Sequence, residues 1–195
     1  MPTHSSDSRR EILRTAARLF QEKGYDAASM QDIASALDLS KAALYHHFSS
    51  KDEILFQIMS YGMDIFETQV LGAIKNIADP EERLKACIQL HVQVVVGGRD
   101  REITVILHEN HALPEDEMRQ INARKKAYIV YLENLIGEVQ RKRGGAMAVQ
   151  PRVAAFALLG MINWMYQWYR PEGRISGPEI ARQYTALLLH GLYGK

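Results

Sequence analysis

The stretch 29–51 constrains the fold of this chain most, because it combines two very short helices with a tight turn between them. Ser29 and Asp32 form a capping box, which predicts the start of the first helix. The helical spacing then breaks, and Ser40 is a suitable N-cap for a second helix from Lys41 to His47. That second helix is too short and too polar to serve the core, so most of its side chains should face outward.

A short helix that a preceding helix supports across a small turn is the arrangement that places side chains in the major groove of DNA. The outward side chains here include hydrogen-bond donors suited to phosphates and base edges, and the small alanines permit close approach. An ordinary surface helix pair in an all-helical protein has the same spacing. The pattern alone therefore leaves both interpretations open.

Three motifs extend this pattern: Ser29-Met-x-Asp-Ile-Ala, Leu39-Ser-Lys-x-x-Leu-Tyr-His-His-Phe and Ser50-Lys-Asp-Glu-Ile-Leu. Together they resemble the DNA-binding domain of the TetR family of bacterial transcriptional repressors, over residues 9–55. One departure is Asp38, at a turn position where the family more often has Gly, although Asp tolerates that geometry. The resemblance implies a three-helix helix-turn-helix domain over residues 8–52.

The same resemblance implies which side chains meet DNA. The implied phosphate contacts are Ser29, Tyr45, His46 and Lys51. The implied base-reading positions are Ser40, Lys41, Ala42 and Ala43. Phosphate contacts would supply salt-dependent affinity, and base contacts would supply discrimination between sequences. The expected partner is therefore a double-stranded DNA operator.

Composition bounds the class of protein. The chain has 195 residues, of which 47% are hydrophobic and 24% charged, so it can bury a normal core in one medium domain or two small ones. Its single cysteine excludes a disulfide scaffold. With no long apolar run and a polar N-terminus, we expect a soluble cytoplasmic protein with no membrane partner. The formal net charge of +1 would not by itself have indicated DNA binding.

The remaining sequence predicts further helices and no strand, because apolar residues recur at helical spacing and nothing alternates with period two. Ser8 with Glu11 predicts the start of the first helix, after a disordered beginning of the chain. The expected fold class is all-α, with about nine helices. After the helix-turn-helix pair, helices are expected over 51–77, 80–96, 102–111, 115–143, 151–170 and 176–192.

The last two of these helices carry more apolar surface than a single bundle needs. In the TetR family the corresponding helices form a four-helix bundle between two subunits, and a dimer matches a palindromic operator. The resemblance therefore implies a homodimer through residues 154–169 and 180–192, within a ligand-binding and dimerisation domain over residues 53–195. The alternative is that these helices are ordinary core helices.

Further motifs lie between residues 101 and 192: Leu107-His-Glu-x-x-x-Leu113-Pro, Arg124-Lys-x-x-Tyr128, and Asn163-Trp-x-Tyr-x-Trp-Tyr-Arg-Pro with Gly173-Arg-Ile-Ser176. They resemble, more loosely, a branch of the family that senses acyl-CoA thioesters. An acyl chain needs an apolar tunnel, for which Met and Trp side chains are suitable, although such a stripe is also typical of an ordinary core. The candidate ligand-binding residues are Met59, Met63, Leu90, Val94, Leu107, Arg124, Tyr128, Met161, Trp164, Met165 and Trp168. Candidate cations for the CoA phosphates are Arg124, Lys125, Arg170 and Arg174.

His91, His108, Glu109 and His111 could bind a divalent metal, but their spacing matches no known zinc signature, and hydrogen-bonded or solvated histidines are the alternative. No nucleophile motif or Gly-rich phosphate loop accompanies them, so we expect neither enzymatic activity nor a cofactor. The sequence thus predicts a dimeric repressor that a small molecule, by resemblance an acyl-CoA thioester, releases from a palindromic operator. An activator with the same DNA-binding domain, or a different small-molecule or metal effector, is the alternative. From another class, the alternative is a small helical metal-dependent enzyme that uses His108, Glu109 and His111.

Overall fold

The computed structural model describes residues 3–97, 113–142, 144 and 149–193, and those residues form helices and no strand. The predicted all-α fold class is therefore confirmed for the described part of the chain. The helix expected over 102–111 lies outside it. The helices are α1 (Thr3–Lys23), α2 (Met30–Ala36), α3 (Lys41–His47), α4 (Lys51–Ile65), a π-helix (Phe66–Leu71), α5 (Gly72–Ile74), α6 (Pro80–Val96), α7 (Glu115–Lys142), α8 (Pro151–Asn163), α9 (Met165–Trp168) and α10 (Gly177–Tyr193).

Helix α1 begins earlier than the capping pattern predicted. It starts at Thr3 rather than at Ser8, so the expectation of a disordered beginning is wrong for these residues. No Gly or Pro lies between Thr3 and Ser8, and nothing in the sequence therefore stops the helix from extending toward the N-terminus. Its other end is as expected, because Gly24 has a φ of 81° and its N–H donates to the carbonyl of Phe20 at 2.9 Å.

The caps of α2 and α3 agree with the sequence pattern. The Ser29 hydroxyl accepts the Asp32 N–H at 3.1 Å, and the Asp32 carboxylate accepts the Ser29 N–H at 2.9 Å. The Ser40 hydroxyl accepts the N–H of Ala43 at 3.0 Å. Between the helices, Asp38 has a φ of 54°, so it takes the left-handed conformation that the turn requires.

The described residues fall into two compact units. The first contains those up to Met63 together with 113–122, and the second contains 64–97 and those from Ala123 onward. In the first unit, α2 packs against both α1 and α3. The apolar faces of α1 to α4 meet there in one core, because each helix buries a stripe at helical spacing. Its fully buried side chains include Ile12, Phe20, Ile33, Leu44, Phe48, Ile54, Leu55, Ile58 and Met59.

The second unit is organised around α6. This helix packs most extensively on α10, and it also contacts the π-helix, α8 and α9. The approach of α10 is close, because a Cβ on Gly177 would lie 2.8 Å from a methyl carbon of Val96. The fully buried side chains of the second unit include Val70, Ile74, Leu84, Ile88, Leu132, Ile136, Val139, Ala155, Ile162 and Met165.

Two predicted helices are not continuous. The helix expected over 51–77 contains the π-helix, and the helix expected over 151–170 breaks at Trp164. The π-helix buries Phe66 and Val70, whose spacing of four residues also fits an α-helix, so the spacing of apolar residues does not reveal the wider turn. At the break, the Trp164 side chain is 61% exposed while that of Met165 is fully buried, and the change of direction separates these two adjacent side chains. Neither position carries a Gly or Pro signal.

Candidate functional site

Helix α3 is anchored by its apolar side chains and presents its polar ones to solvent. Leu44 and Phe48 are buried in the core of the first unit. On the other side, the predicted DNA-contacting residues that are exposed are Ser29, Ser40, Lys41, Ala42, Tyr45 and His46, whereas Ala43 and Lys51 are half-buried. Two buried anchors thus hold a short polar surface in a defined orientation, which is what reading a groove requires.

Arg9 fixes the C-terminal end of α3. One guanidinium nitrogen donates to the carbonyl of His47, and the guanidinium carbon lies 4.2 Å from the centre of the Phe48 ring. Another guanidinium nitrogen lies 3.6 Å from the carboxylate of Glu53 at the start of α4. A cation at a helix C-terminus also complements the helix dipole. Arg9 therefore positions α3 from a helix more than thirty residues earlier in the chain.

Lys51 has contacts that the motif did not predict. Its ammonium donates to the carbonyls of Tyr25 at 2.8 Å and Ala28 at 2.9 Å, and it lies 4.1 Å from the centre of the Tyr25 ring. Tyr25 in turn donates from its hydroxyl to the Asp52 carboxylate. In this structure Lys51 ties the loop between α1 and α2 to α4. The expectation that Lys51 contacts a phosphate stays a prediction.

The surface around Ser29 is preorganised by charge. Asp32 accepts from the ammonium of Lys23 at 2.8 Å as well as from Ser29. These hydrogen bonds, the one from Lys23 most of all, hold the pKa of the Asp32 carboxyl well below its usual range. The capping box therefore stays ionised and intact across the physiological pH range.

The second unit contains a buried polar cluster that joins α6, α7 and the π-helix. The hydroxyl of Tyr128 lies 3.0 Å from Nδ1 of His91 and 3.9 Å from the sulfur of Cys87. The Phe66 ring meets the imidazole edge-on at 4.8 Å between ring centres. Burial lowers the pKa of His91 to about 4, although the Asn163 side chain acts in the opposite direction. The imidazole is therefore neutral at pH 7.

The other two titratable members of this cluster are also neutral. Burial raises the pKa of the Cys87 thiol to about 12, against a smaller opposing effect of the Tyr128 hydroxyl. Burial likewise raises the pKa of Tyr128 well above its ordinary value. The cluster is thus an uncharged hydrogen-bonding site in apolar surroundings rather than a reactive one.

The predicted ligand-binding residues divide between the units. Met59 and Met63 belong to the core of the first unit. In the second unit, Tyr128 and Met165 are buried, Leu90, Val94 and Met161 are half-buried, and Trp164 and Trp168 are exposed. Leu107 lies outside the described residues. Their role in binding a ligand stays a prediction.

Arg124 is held by two carboxylates. Its Nε and Nη2 donate to the two oxygens of Glu67, each at 2.8 Å, and Nη2 also donates to Asp64 at 2.6 Å. The guanidinium lowers the pKa of Glu67 in return. A phosphate would have to compete with this bidentate pairing for Arg124. Another predicted phosphate ligand, Arg170, donates to the carbonyl of Tyr169 at 3.0 Å.

The metal hypothesis concerns residues that are mostly undescribed. His108, Glu109 and His111 lie outside the described residues, and Nδ1 of His91 is engaged by Tyr128. Within 3–97, 113–142, 144 and 149–193, no group of three or more His, Cys, Asp or Glu side chains is placed to hold a metal ion. No helix in these ranges is long and apolar enough to span a membrane.

Large apolar side chains are exposed on the last helices. On α8, Val153 and Phe156 are 59% and 48% exposed, and on α10 Leu187 is 63% exposed. Trp164 and Trp168 extend this exposure around the break after α8. The sequence predicted apolar surface on these helices.

The sequence did not predict the pairing of His91 with Tyr128, although Tyr128 belongs to one of the quoted motifs.

Comparison with known proteins assigns the family. The family model described as bacterial regulatory proteins, tetR family, matches residues 12–58, and the model described as tetracyclin repressor-like, C-terminal domain, matches residues 78–192. The HTH-type transcriptional repressor KstR2 of Rhodococcus jostii is 26% identical over 198 residues, which cover 96% of this chain and 92% of that protein. The HTH-type transcriptional activator FasR of Mycolicibacterium smegmatis is 27% identical over 156 residues, covering 80% and 69%.

A solved structure is more similar still. The crystal structure of AibR in complex with isovaleryl coenzyme A and operator DNA shares 43% sequence identity, covers 92% of this chain and 96% of that one, and superposes with a TM-score of 0.85. The family models, the helix-turn-helix geometry and this likeness agree, and they identify a regulator rather than an enzyme. The chain therefore belongs to the TetR family of bacterial regulatory proteins and is a DNA-binding transcriptional regulator.

Proposed function

We propose that this protein is a cytoplasmic, homodimeric repressor that binds a palindromic operator and is released from it by an acyl-CoA thioester. The observation that carries the DNA-binding part is the polar outer surface of α3, mounted on the buried anchors Leu44 and Phe48. The observation that supports the effector is the similarity to AibR, whose crystal structure contains isovaleryl coenzyme A and operator DNA. The proposed domains are 8–52 for DNA binding and 53–195 for ligand binding and dimerisation.

On this proposal, the residues of the DNA surface divide by role. Exposed Tyr45 and His46, with Ser29 at the start of α2, contact phosphates and supply salt-dependent affinity. Base reading falls to Ser40, Lys41, Ala42 and Ala43, at the N-terminal end of α3. Lys51 keeps its predicted phosphate contact in this proposal, and its ammonium also donates to the carbonyls of Tyr25 and Ala28, which holds the α1–α2 loop in place.

The exposed apolar side chains of α8 and α10 support a dimer. Exposed apolar side chains on two helices that pack against each other are costly in water, and a second copy of the same helices would cover them. Two-fold symmetry would then present two copies of α3 to two half-sites of the operator. We therefore place the dimer interface on α8 and α10, within the predicted segments 154–169 and 180–192.

For the effector we propose the second unit as the main site. Leu90, Val94, Tyr128, Met161 and Met165 supply apolar surface suited to an acyl chain. Trp164 and Trp168 supply exposed rings that can cover a CoA moiety. We propose that the ligand binds more tightly to a conformation of this unit in which the dimer binds the operator weakly. The loss of operator affinity is then set by the difference between the ligand's affinities for the two conformations.

A mobility-shift titration tests both parts. A fragment carrying the promoter region of the protein's own gene is mixed with full-length dimer, and isovaleryl-CoA, free CoA or a longer acyl-CoA is added. We expect a saturable specific complex that an acyl-CoA disrupts and free CoA does not. Failure to prefer this fragment over random DNA at moderate salt would refute the operator proposal. Specific binding that no thioester disrupts would refute the effector alone.

A second candidate function is activation of transcription. FasR, an activator, shares 27% identity with this chain, and an activator uses the same DNA-reading surface. A reporter gene under the bound promoter distinguishes the two. Deletion of the regulator raises expression if it represses, and lowers expression if it activates.

A further inference from the structure

The guanidinium of Arg124 joins α7 to the end of α4. Its Nε and Nη2 donate to the two carboxylate oxygens of Glu67, each at 2.8 Å, and Nη2 also donates to Asp64 at 2.6 Å. Asp64 lies in the last turn of α4, and Glu67 lies in the π-helix that follows it. We call these three side chains the Arg124 latch. Because the pairing with Glu67 is bidentate, it fixes the direction of the guanidinium as well as its distance.

The Arg124 latch lies where two long helices pass from the first unit into the second. The first unit includes α4 up to Met63 and α7 up to Asn122, and both helices continue into the second unit. Asp64 and Arg124 are thus among the first residues of the second unit on their helices. The latch therefore fixes the end of α4 against α7 close to these two crossings.

Helix α4 shares the core that anchors α3. Its residues Ile54 and Leu55 are fully buried in the same cluster as Leu44 and Phe48, which hold α3 in place. Close-packed side chains transmit a displacement from one element to the next. A change in the direction of α4 should therefore move the surface of α3 with it.

The energy of the latch suits a switch between two conformations. The side chain of Arg124 is 27% exposed, and those of Asp64 and Glu67 are 59% and 45% exposed, so water screens both ion pairs. Two pairs of this kind change a conformational equilibrium by about fivefold. Coupling between an effector site and a distant site in a protein is of similar size. The latch can thus favour one conformation without making it permanent.

The latch borders the part of the second unit proposed for the effector. Tyr128 lies one helical turn after Arg124 on α7, and the ring of Phe66, next to Glu67, lies 5.6 Å from the Tyr128 ring between centres. A guanidinium binds a phosphate with the same two-pronged geometry that it uses for a carboxylate. The charges of Asp64 and Glu67 repel a phosphate, so Arg124 cannot serve both partners at once.

We propose that Arg124 is the residue through which the effector acts on α4. Paired with Asp64 and Glu67, it holds α4 in the conformation that binds the operator. Paired with a phosphate of the effector, it releases α4, and operator affinity falls. This inference rests on the proposed release of the operator by an acyl-CoA thioester.

The first test is operator binding by the full-length protein in a mobility-shift titration without effector. Arg124→Gln removes the latch and should weaken binding about fivefold. The matched control is Arg119→Gln on the same helix. Arg119 pairs with Glu115 and Asp116 of α7 itself, so its loss leaves α4 untouched and operator affinity unchanged. Circular dichroism verifies that each variant is folded.

The second test is calorimetric titration with isovaleryl-CoA. Combining Asp64→Asn with Glu67→Gln makes Arg124 available, so this variant should bind isovaleryl-CoA about fivefold more tightly than wild type while binding the operator more weakly. In an Arg124→Gln background the same two substitutions should add no affinity for isovaleryl-CoA. The isovaleryl thioester of pantetheine, which lacks the phosphates of CoA, should show no gain in either background.

The outcomes separate this inference from the proposed function. Unchanged operator affinity in Arg124→Gln, or isovaleryl-CoA affinity that does not rise when both carboxylates are replaced, would overturn the inference while the effector class stands. A gain that persists without Arg124 would also overturn it, since simple charge repulsion would then explain the effect. If isovaleryl-CoA does not bind the wild-type protein, the effector class of the proposed function fails, and this inference fails with it.

Discussion

The buried imidazole of His91 should make the free energy of unfolding decrease at acidic pH, and His91→Gln should remove this contribution. In the folded protein burial lowers its pKa from 6.5 to about 4, and unfolding returns it to the ordinary value. The unfolded chain therefore binds a proton more readily below pH 6.5. Stabilisation from the neutral ring is fully present above that pH and is lost as pH falls through 4.

The size of the effect follows from the two pKa values. Lowering the pH from about 7.5 to about 5 should reduce the free energy of unfolding by about 2 kcal/mol through His91 alone, and the full difference corresponds to about 3 kcal/mol. Tyr128 contacts the ring and Cys87 contacts the Tyr128 hydroxyl, and both remain neutral over this range because burial raises the pKa of each. They should not contribute to the slope.

Urea unfolding at the two pH values, at one fixed protomer concentration, measures the difference. Carboxylates contribute their own pH dependence, so the informative quantity is the comparison of wild type with His91→Gln. We expect the variant to lose about 2 kcal/mol less than wild type between the two pH values. His46→Gln, which replaces an exposed histidine, serves as the control and should behave as wild type. Equal losses in wild type and His91→Gln would refute the reasoning.

Three other predictions concern the surface and the turn. Tyr45→Ala should weaken binding to specific and random DNA alike, whereas Lys41→Ala should change sequence preference by about 1–3 kcal/mol at one base pair, as measured by competition binding. Leu187→Glu should dissociate the dimer in analytical ultracentrifugation, whereas the matched control Val130→Glu, on α7, should not; a monomeric wild type would contradict this. Asp38→Ala should destabilise by about 1 kcal/mol in chemical denaturation because its φ is 54°, and unchanged stability would count against strain there.

The sequence predicted the start of a helix correctly where an N-cap side chain hydrogen-bonds to the residue three positions later. The pairs Ser29–Asp32 and Ser40–Ala43 are present as expected, and the Glu179 N–H donates to the Ser176 hydroxyl at 3.3 Å at the start of α10. Such contacts depend on a few neighbouring dihedral angles, so a short stretch of sequence contains the whole interaction. The same locality failed at Ser8, where a suitable cap pattern lies inside a longer helix.

The arrangement of polar side chains over long separations was beyond sequence reasoning. Lys51 matched a motif, but its contacts with the carbonyls of Tyr25 and Ala28 depend on how α4 packs beside the preceding loop. Arg124 was expected to be available for phosphates, and it is paired with Glu67, 57 residues away in sequence. The spacing of residues along the chain does not predict which cations pair with which carboxylates, because that depends on the tertiary packing.

The sequence by itself determined the all-α class, the capped helix pair at 29–51 and the regulator family, because these are contained in local spacing and in a continuous motif. Tertiary structure alone decided that His91 on α6 meets Tyr128 on α7, 37 residues later, beside Phe66 of the π-helix. Packing also brings the Asn163 side chain, at the end of α8, next to the same imidazole. The physical reason is that burial and hydrogen-bond pairing are properties of a filled volume, to which distant parts of the chain contribute together.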